Sequence, residues 1–230
     1  MTVKTKTTRA AWLALIAPLL LYTGCASSRA AAPTTPTHHD PTILEIAEGA
    51  GRIGILQPEV FLYDVSAGGI LEFRDDWSKN ASRQAARSAA FTLKQMNYSP
   101  LIIPDDPNRE RDFFRLKTAL RYHGTAFRNQ FFTDFPPTTF SIGPIEEMCD
   151  RYNVDGFLYI YGYEEKFSEE RHQFLNTQGE AIPPERTFIA LLIAERDGRI
   201  SWHRHMMIPG NLDMRSEVHS TLVMRALLDW

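Results

Sequence analysis

From Trp77 an apolar or small residue returns every four positions. Trp77, Ala81, Ala85, Ala89 and Leu93 are followed by Met96, with charged and polar residues between them. This stripe predicts one long amphipathic helix, and its alanines let a helix lie close against a sheet. Asp75-Asp76 precedes the stripe as a capping pair, and Trp77 at its head is expected to be a core anchor. Strand-like runs surround it. Ile53 to Gln57 is a short apolar strand closed by Pro58. Val60 to Ser66 and Ile70 to Arg74 flank Ala67-Gly68-Gly69 and predict a hairpin. Pro100 to Pro104 is a further core strand.

The second half repeats these themes. Asp106-Pro107 is a cap followed by proline at a first helical position, and Phe113, Leu116, Leu120 and Phe127 face inward from the helix it starts, which Gly124 weakens at its end. A proline-rich loop covers Asp134 to Pro144. Ile145, Met148, Cys149 and Tyr152 share one face of a short helix. Val154 to Phe167 is a long aromatic strand; Thr187 to Glu195 and Arg199 to Ile208 pair across Asp197-Gly198. Ser168 to Arg186, polar and interrupted by Gly179 and Pro183-Pro184, is read as a long exposed loop, and Asn211 to Leu228 as a closing helix. The predicted order is strand, hairpin, helix, strand, two helices, three strands, helix. That is an α/β fold, a mixed sheet covered by helices, in a single domain over residues 42–230.

The start of the chain follows different rules. Lys4, Lys6 and Arg9 precede an apolar run from Ala10 to Tyr22, followed by Thr23-Gly24-Cys25. About 20 apolar residues are needed to span a bilayer. This run is shorter and fits the core of a secretory signal peptide, residues 1–24. The junction resembles the lipobox of bacterial lipoproteins, with Tyr22 at the usual leucine position and Leu21 one step earlier. That resemblance implies that Cys25 is acylated and opens the mature chain. Ala26 behind it implies the periplasmic face of the outer membrane. Residues 25–41, rich in Ser, Ala, Thr and Pro, bury too little apolar surface to fold and are read as a flexible tether, with His38 and His39 solvated in it.

Charge narrows the partners. The 230-residue chain carries a formal charge of -3; without Lys4, Lys6 and Arg9 it falls to -6, which argues against nucleic acid and anionic lipid. Cys149 is then the remaining thiol and is expected to be buried. Gly49-Ala-Gly51-Arg-Ile-Gly54 spells G-x-G-x-x-G, yet a strand follows it where phosphate binding needs a helix. No cofactor is expected. His203 and His205, two apart on a strand, share a face, but zinc requires a third protein ligand and Trp202 and Arg204 offer none. They are weak metal candidates, and no metal is expected. No nucleophile elbow is present, and no catalytic residue is assigned. Asp75-Asp76, Asp105-Asp106, Glu164-Glu165 and Glu169-Glu170 are the carboxylate pairs available for acid–base work. Phe167, Phe174 and Leu175, apolar residues in or beside the charged run, are candidate interface anchors.

Four phrases carry a wider resemblance: RIGILQPEV, SAGGILEFRDDW, RYNVDGFLYIYGY and LLIAERDGRISWH. With them the chain resembles small periplasmic α/β outer-membrane lipoproteins, the curli-secretion-lipoprotein and penicillin-binding-protein-activator-like group. The resemblance implies a non-enzymatic, lipid-anchored accessory to an envelope assembly or transport system, binding an envelope protein and open to homo-oligomerisation. Two alternatives remain: a periplasmic hydrolase using paired carboxylates, and an oligomeric export pore.

Overall fold

The computed structural model describes residues 37–39, 51–104, 113–122, 141–179, 185–210 and 212–228. The leader and most of the tether, the Asp105-Asp106 pair, Phe127 and most of the proline-rich loop lie outside the described residues.

The described strands form one eight-stranded mixed sheet with the order β1-β8-β7-β6-β2-β5. They are β1 (Thr37–His39), β2 (Arg52–Ile55), β3 (Glu59–Val65), β4 (Leu71–Phe73), β5 (Ser99–Ile102), β6 (Gly156–Phe167), β7 (Arg186–Glu195) and β8 (Ile200–Pro209). β6 is the organising strand. One side pairs antiparallel with β7 along ten positions. The other is shared end to end by two parallel strands, β2 at Gly156 to Leu158 and β3 at Tyr161 to Phe167. The switch from β2 to β3 falls at Leu56-Gln57-Pro58, where proline cannot donate to a ladder. Gly54 in β2 has a steric purpose: a Cβ there would lie 2.7 Å from the Phe157 ring of β6.

Alternation along β6, β7 and β8 loads both faces of the sheet. One face carries Leu158, Ile160, Ile189, Leu191, Ile193 and Trp202 into a cluster with α1 (Asp75–Gln95) and α5 (Glu217–Leu228). The other carries Phe157, Tyr159, Leu192 and Ala194 against α2 (helical over 113–122) and α3 (Glu146–Tyr152). The result is a three-layer α/β domain. The predicted α1 stripe is buried as expected, with Ala81, Ala85, Ala89 and Leu93 at 0% exposure. Two serines on the same helix do further work. The Val60 N–H donates to Ser82 Oγ at 3.0 Å and the Leu62 N–H to Ser78 Oγ at 2.8 Å. Helix hydroxyls thus satisfy the part of the β3 edge that β4 leaves unpaired.

Several expectations are corrected here. Arg74 is the N-cap of α1 and makes no side-chain cap; Asp75 and Asp76 sit inside the first turn, where they favour the helix dipole. Trp77 is half-buried, its ring beneath the guanidiniums of Arg74 at 4.1 Å and Arg215 at 4.4 Å. It is a cation–π contact packed beside the core, and not a buried anchor. Thr37–His39, read as free tether, runs antiparallel to β8. Residues 169–178, read as loop, form α4 (Glu169–Gln178). The Asp197-Gly198 turn is one residue longer than expected. The Glu195 N–H donates to the Arg199 carbonyl at 2.9 Å, enclosing three residues, with Gly198 at φ +81°. α5 starts at Glu217 because 212–216 turn around Asp213, which accepts three hydrogen bonds from Arg215 at 2.8–2.9 Å.

Candidate interaction surface

α4 is built by local signals. Ser168 caps it, its Oγ accepting the Arg171 N–H at 3.1 Å, and Gly179 ends it at φ +67°. Arg171 then ties the helix to the β3–β4 turn by donating to the Ala67 carbonyl at 2.9 Å. Its guanidinium also lies 5.8 Å from the Phe174 ring. The three residues singled out from sequence separate. Phe174 is 44% exposed, Phe167 is half-buried against the His172 ring, and Leu175 is 1% exposed. Leu175 is therefore a core residue that pins α4 down, and it is not an interface anchor.

The turn to which α4 is tied presents apolar residues that the sequence reading did not select. Ile70 is 67% exposed, Leu71 51% and Phe73 50%. β4 pairs only with β3 among the described strands, so its outer edge is open. Leu71 and Phe73 stand opposite Val65 and Tyr63, and the Phe73 ring lies 5.8 Å from Tyr63 and 6.1 Å from Phe61. An open edge strand leaves main-chain groups that a further strand could pair with. The missed signal was modest: Ile70, Leu71 and Phe73 sit in a run too short to bury itself. A second apolar surface is a groove of about 630 Å³ between α1 and α5, lined by Phe91, Val218 and Leu222 with Arg87 and Arg225 at its sides.

Beneath α4 lies a buried ionic network. Lys166 Nζ lies 3.2 Å from Glu164 Oε1 and 3.0 Å from Glu185 Oε2, and donates to the Leu212 carbonyl. Glu164 also accepts the Met214 N–H at 2.9 Å, and Glu185 accepts the Phe167 N–H at 3.0 Å. Burial raises the Glu164 carboxyl above the usual glutamate range, against the lowering pull of the Met214 N–H and Lys166. The network joins β6, the base of α4 and the turn before α5. It also answers the carboxylate question. Glu164 and Glu165 are neighbours on a strand and point to opposite faces. Glu164 meets Glu185 only through the lysine between them. Glu169 and Glu170 lie in the first turn of α4.

Another polar centre sits where β3 begins. Glu59 accepts the Tyr159 hydroxyl at 2.6 Å and a hydrogen bond from Arg121, with Lys117 at 3.7 Å. A cleft of about 200 Å³ opens beside it, between Phe113, Lys117 and Pro104. Burial pushes the Tyr159 phenol far up, so it acts as a neutral donor. Cys149 is fully buried and its thiol is pushed up to about 11, chiefly by burial. His203 and His205 are 4% and 7% exposed with ring centroids 5.0 Å apart, and burial lowers His205 to about 4, leaving a neutral imidazole. The hairpin strands are seven and three residues long, against the roughly 9–11 that a membrane strand needs. Among the described residues no helix is long and apolar enough to cross a membrane.

No family model matches this chain, and no curated protein matches it. Two solved structures similar to it are PelC dodecamers from Paraburkholderia phytofirmans. A variant PelC is 11% identical, covering 86% of this chain and 96% of that chain, with a TM-score of 0.40. PelC in another crystal form is also 11% identical, covering 86% and 92%, with a TM-score of 0.38.

Proposed function

We propose that this protein is a lipid-anchored, non-enzymatic binding component of the cell envelope, held to the outer membrane through Cys25 and engaging an envelope protein with the β3–β4 hairpin and α4. The supporting observation is the exposed apolar edge formed by Ile70, Leu71 and Phe73, with Phe174 on the helix tied to the same turn. Exposing these residues on a free strand edge invites aggregation unless a partner covers them. Pairing by β4 would supply main-chain hydrogen bonds, and the aromatic side chains would set specificity. The buried Glu164–Lys166–Glu185 network lies beside this surface, with Glu185 Oε1 3.9 Å from His172 Nε2 of α4.

Ile70→Asp with Phe73→Asp is the direct test. Ile70 already faces water, and Phe73 is half-exposed but rests against the Phe61 and Tyr63 rings, so the variant should stay folded with a loss of about 1 kcal/mol. Crosslinked envelope partners recovered with the full chain should be lost. Unchanged crosslinks in a folded double variant would place the binding surface elsewhere.

A further inference from the structure

The cleft beside Glu59 lies where the topology of the sheet opens a crevice. β2 is flanked by two parallel strands, β5 on one side and β6 on the other. The chain reaches β5 through α1, which covers one face of the sheet. It then reaches β6 past α2 and α3, which cover the opposite face. In open α/β sheets, connections that diverge in this way leave a gap at the carboxyl ends of the strands, and ligands sit there. At that end Gln57 follows β2 and Pro104 follows β5, and both line the cleft. Tyr159 comes directly after the stretch of β6 that pairs with β2.

The charges at this end do not cancel. Glu59 is held by the Tyr159 hydroxyl at 2.6 Å and by Arg121. Lys117 Nζ stays 3.7 Å from Glu59 Oε1, too far for a hydrogen bond, and its side chain is 17% exposed. Two cations thus face one carboxylate. The surplus positive charge is local, since the chain as a whole carries -3. The rest of the cleft is largely apolar, with the rings of Phe113 and Phe114 on the same helix as Lys117.

We infer that this cleft binds a small carboxylate with a flat apolar body. The Lys117 ammonium would take the carboxylate in a charge-assisted hydrogen bond, and the body would lie against the two phenylalanine rings. At about 200 Å³ the cleft is smaller than the roughly 300–1,000 Å³ of sites for drug-sized molecules, so its occupant is small. Glu59 is the positioning residue: held by Tyr159 and Arg121, it stands beside Lys117 and fixes where the ammonium lies. Glu59 opens β3, whereas the hairpin turn follows the other end of that strand, so this site is separate from the hairpin surface.

The test uses the full chain purified in detergent, with benzoate as the probe and benzamide as its neutral counterpart. Methyl NMR is followed at Ile103, a buried residue that lines the cleft. Saturable binding of one benzoate per chain is expected, with the Ile103 signal shifting. Benzamide should bind at least about tenfold more weakly, the cost of losing one charged hydrogen bond. Lys117→Met, which keeps the stem of the side chain, should weaken benzoate by at least about the same factor, while Lys94→Met at the end of α1 should leave it within about twofold. Phe114 is 64% exposed, so Phe114→Ala should fold normally and still weaken benzoate several-fold. Absent saturable binding, equal binding of benzamide, or unchanged binding by Lys117→Met or by Phe114→Ala would each overturn the inference.

Discussion

Replacing Lys166 with methionine is expected to lower the unfolding free energy by about 3–5 kcal/mol, because it removes one partner from a buried charge set. The side chains of Glu164 and Glu185 are 0% and 9% exposed, and Lys166 itself 16%. Methionine nearly matches the lysine stem, so the packing changes little and the loss is electrostatic. The variant leaves two buried carboxylates facing each other and an unpaired carbonyl at Leu212. The pH dependence follows from Glu164, which burial already raises. A carboxyl raised in the fold stabilises below its unfolded value and loses that contribution as pH rises through its folded value. Without Lys166 the carboxyl rises further, so the penalty is largest at neutral pH and shrinks as the pH falls toward the carboxylate range. Urea unfolding at pH 8 and pH 5 checks both statements. A loss below about 1 kcal/mol at pH 8 would show that the network is not a stabilising element. Adding Glu164→Gln to the variant should recover part of the loss.

Trp202→Ala should cost a similar amount, about 3–5 kcal/mol, for a different reason. Trp202 is 0% exposed and is the largest fully buried side chain among the described residues. It stands on β8, where the sheet packs against α1 and α5, beside Ile193, its partner on β7. Alanine leaves a cavity bounded by two sheet strands and their covering helices, which cannot all close inward. Trp202→Phe should cost clearly less. Chemical denaturation with an unchanged slope checks the cavity account, and an equal loss for both variants would contradict it.

Much of this framework was legible because its signals are local. The alanine stripe of α1, the aromatic run of β6 and the apolar run of β7 declare their own periods. The turn at Gly68-Gly69 and the glycine at 198 mark where the chain reverses. α4 was misread for a physical reason. Its ten residues EERHQFLNTQ bury only Leu175, so no apolar period exists to be seen. The cap at Ser168 and the stop at Gly179 were the available evidence. β1 has no apolar residue at all, and its pairing with β8 spans some 165 positions, a non-local contact that no window can show. The ionic network was hidden in the same way. Glu164 looked like half of an acidic pair available for acid–base work, while its partners, Lys166 and Met214, are set by the strand and by a turn fifty residues away.

The residues of the proposed interface were half legible. Phe174 stood out as an aromatic among charges, and it is exposed. Its neighbour Leu175 carried the same signal and is buried, because a helix turns adjacent positions about 100° apart. Ile70, Leu71 and Phe73 were assigned to a strand, and strands are read as buried by default. Edge position decides otherwise, and edges belong to topology.

The proposed role requires that the binding edge be held at a membrane, and the lipid on Cys25 tests that requirement most directly. Intact mass and membrane fractionation of the processed protein, compared with Cys25→Ser, is the measurement. The account predicts a wild-type chain that begins at Cys25, carries added acyl mass and sediments with the outer membrane, with the variant soluble and without that mass. A wild-type chain with no added mass at Cys25, found in the soluble fraction, would contradict it.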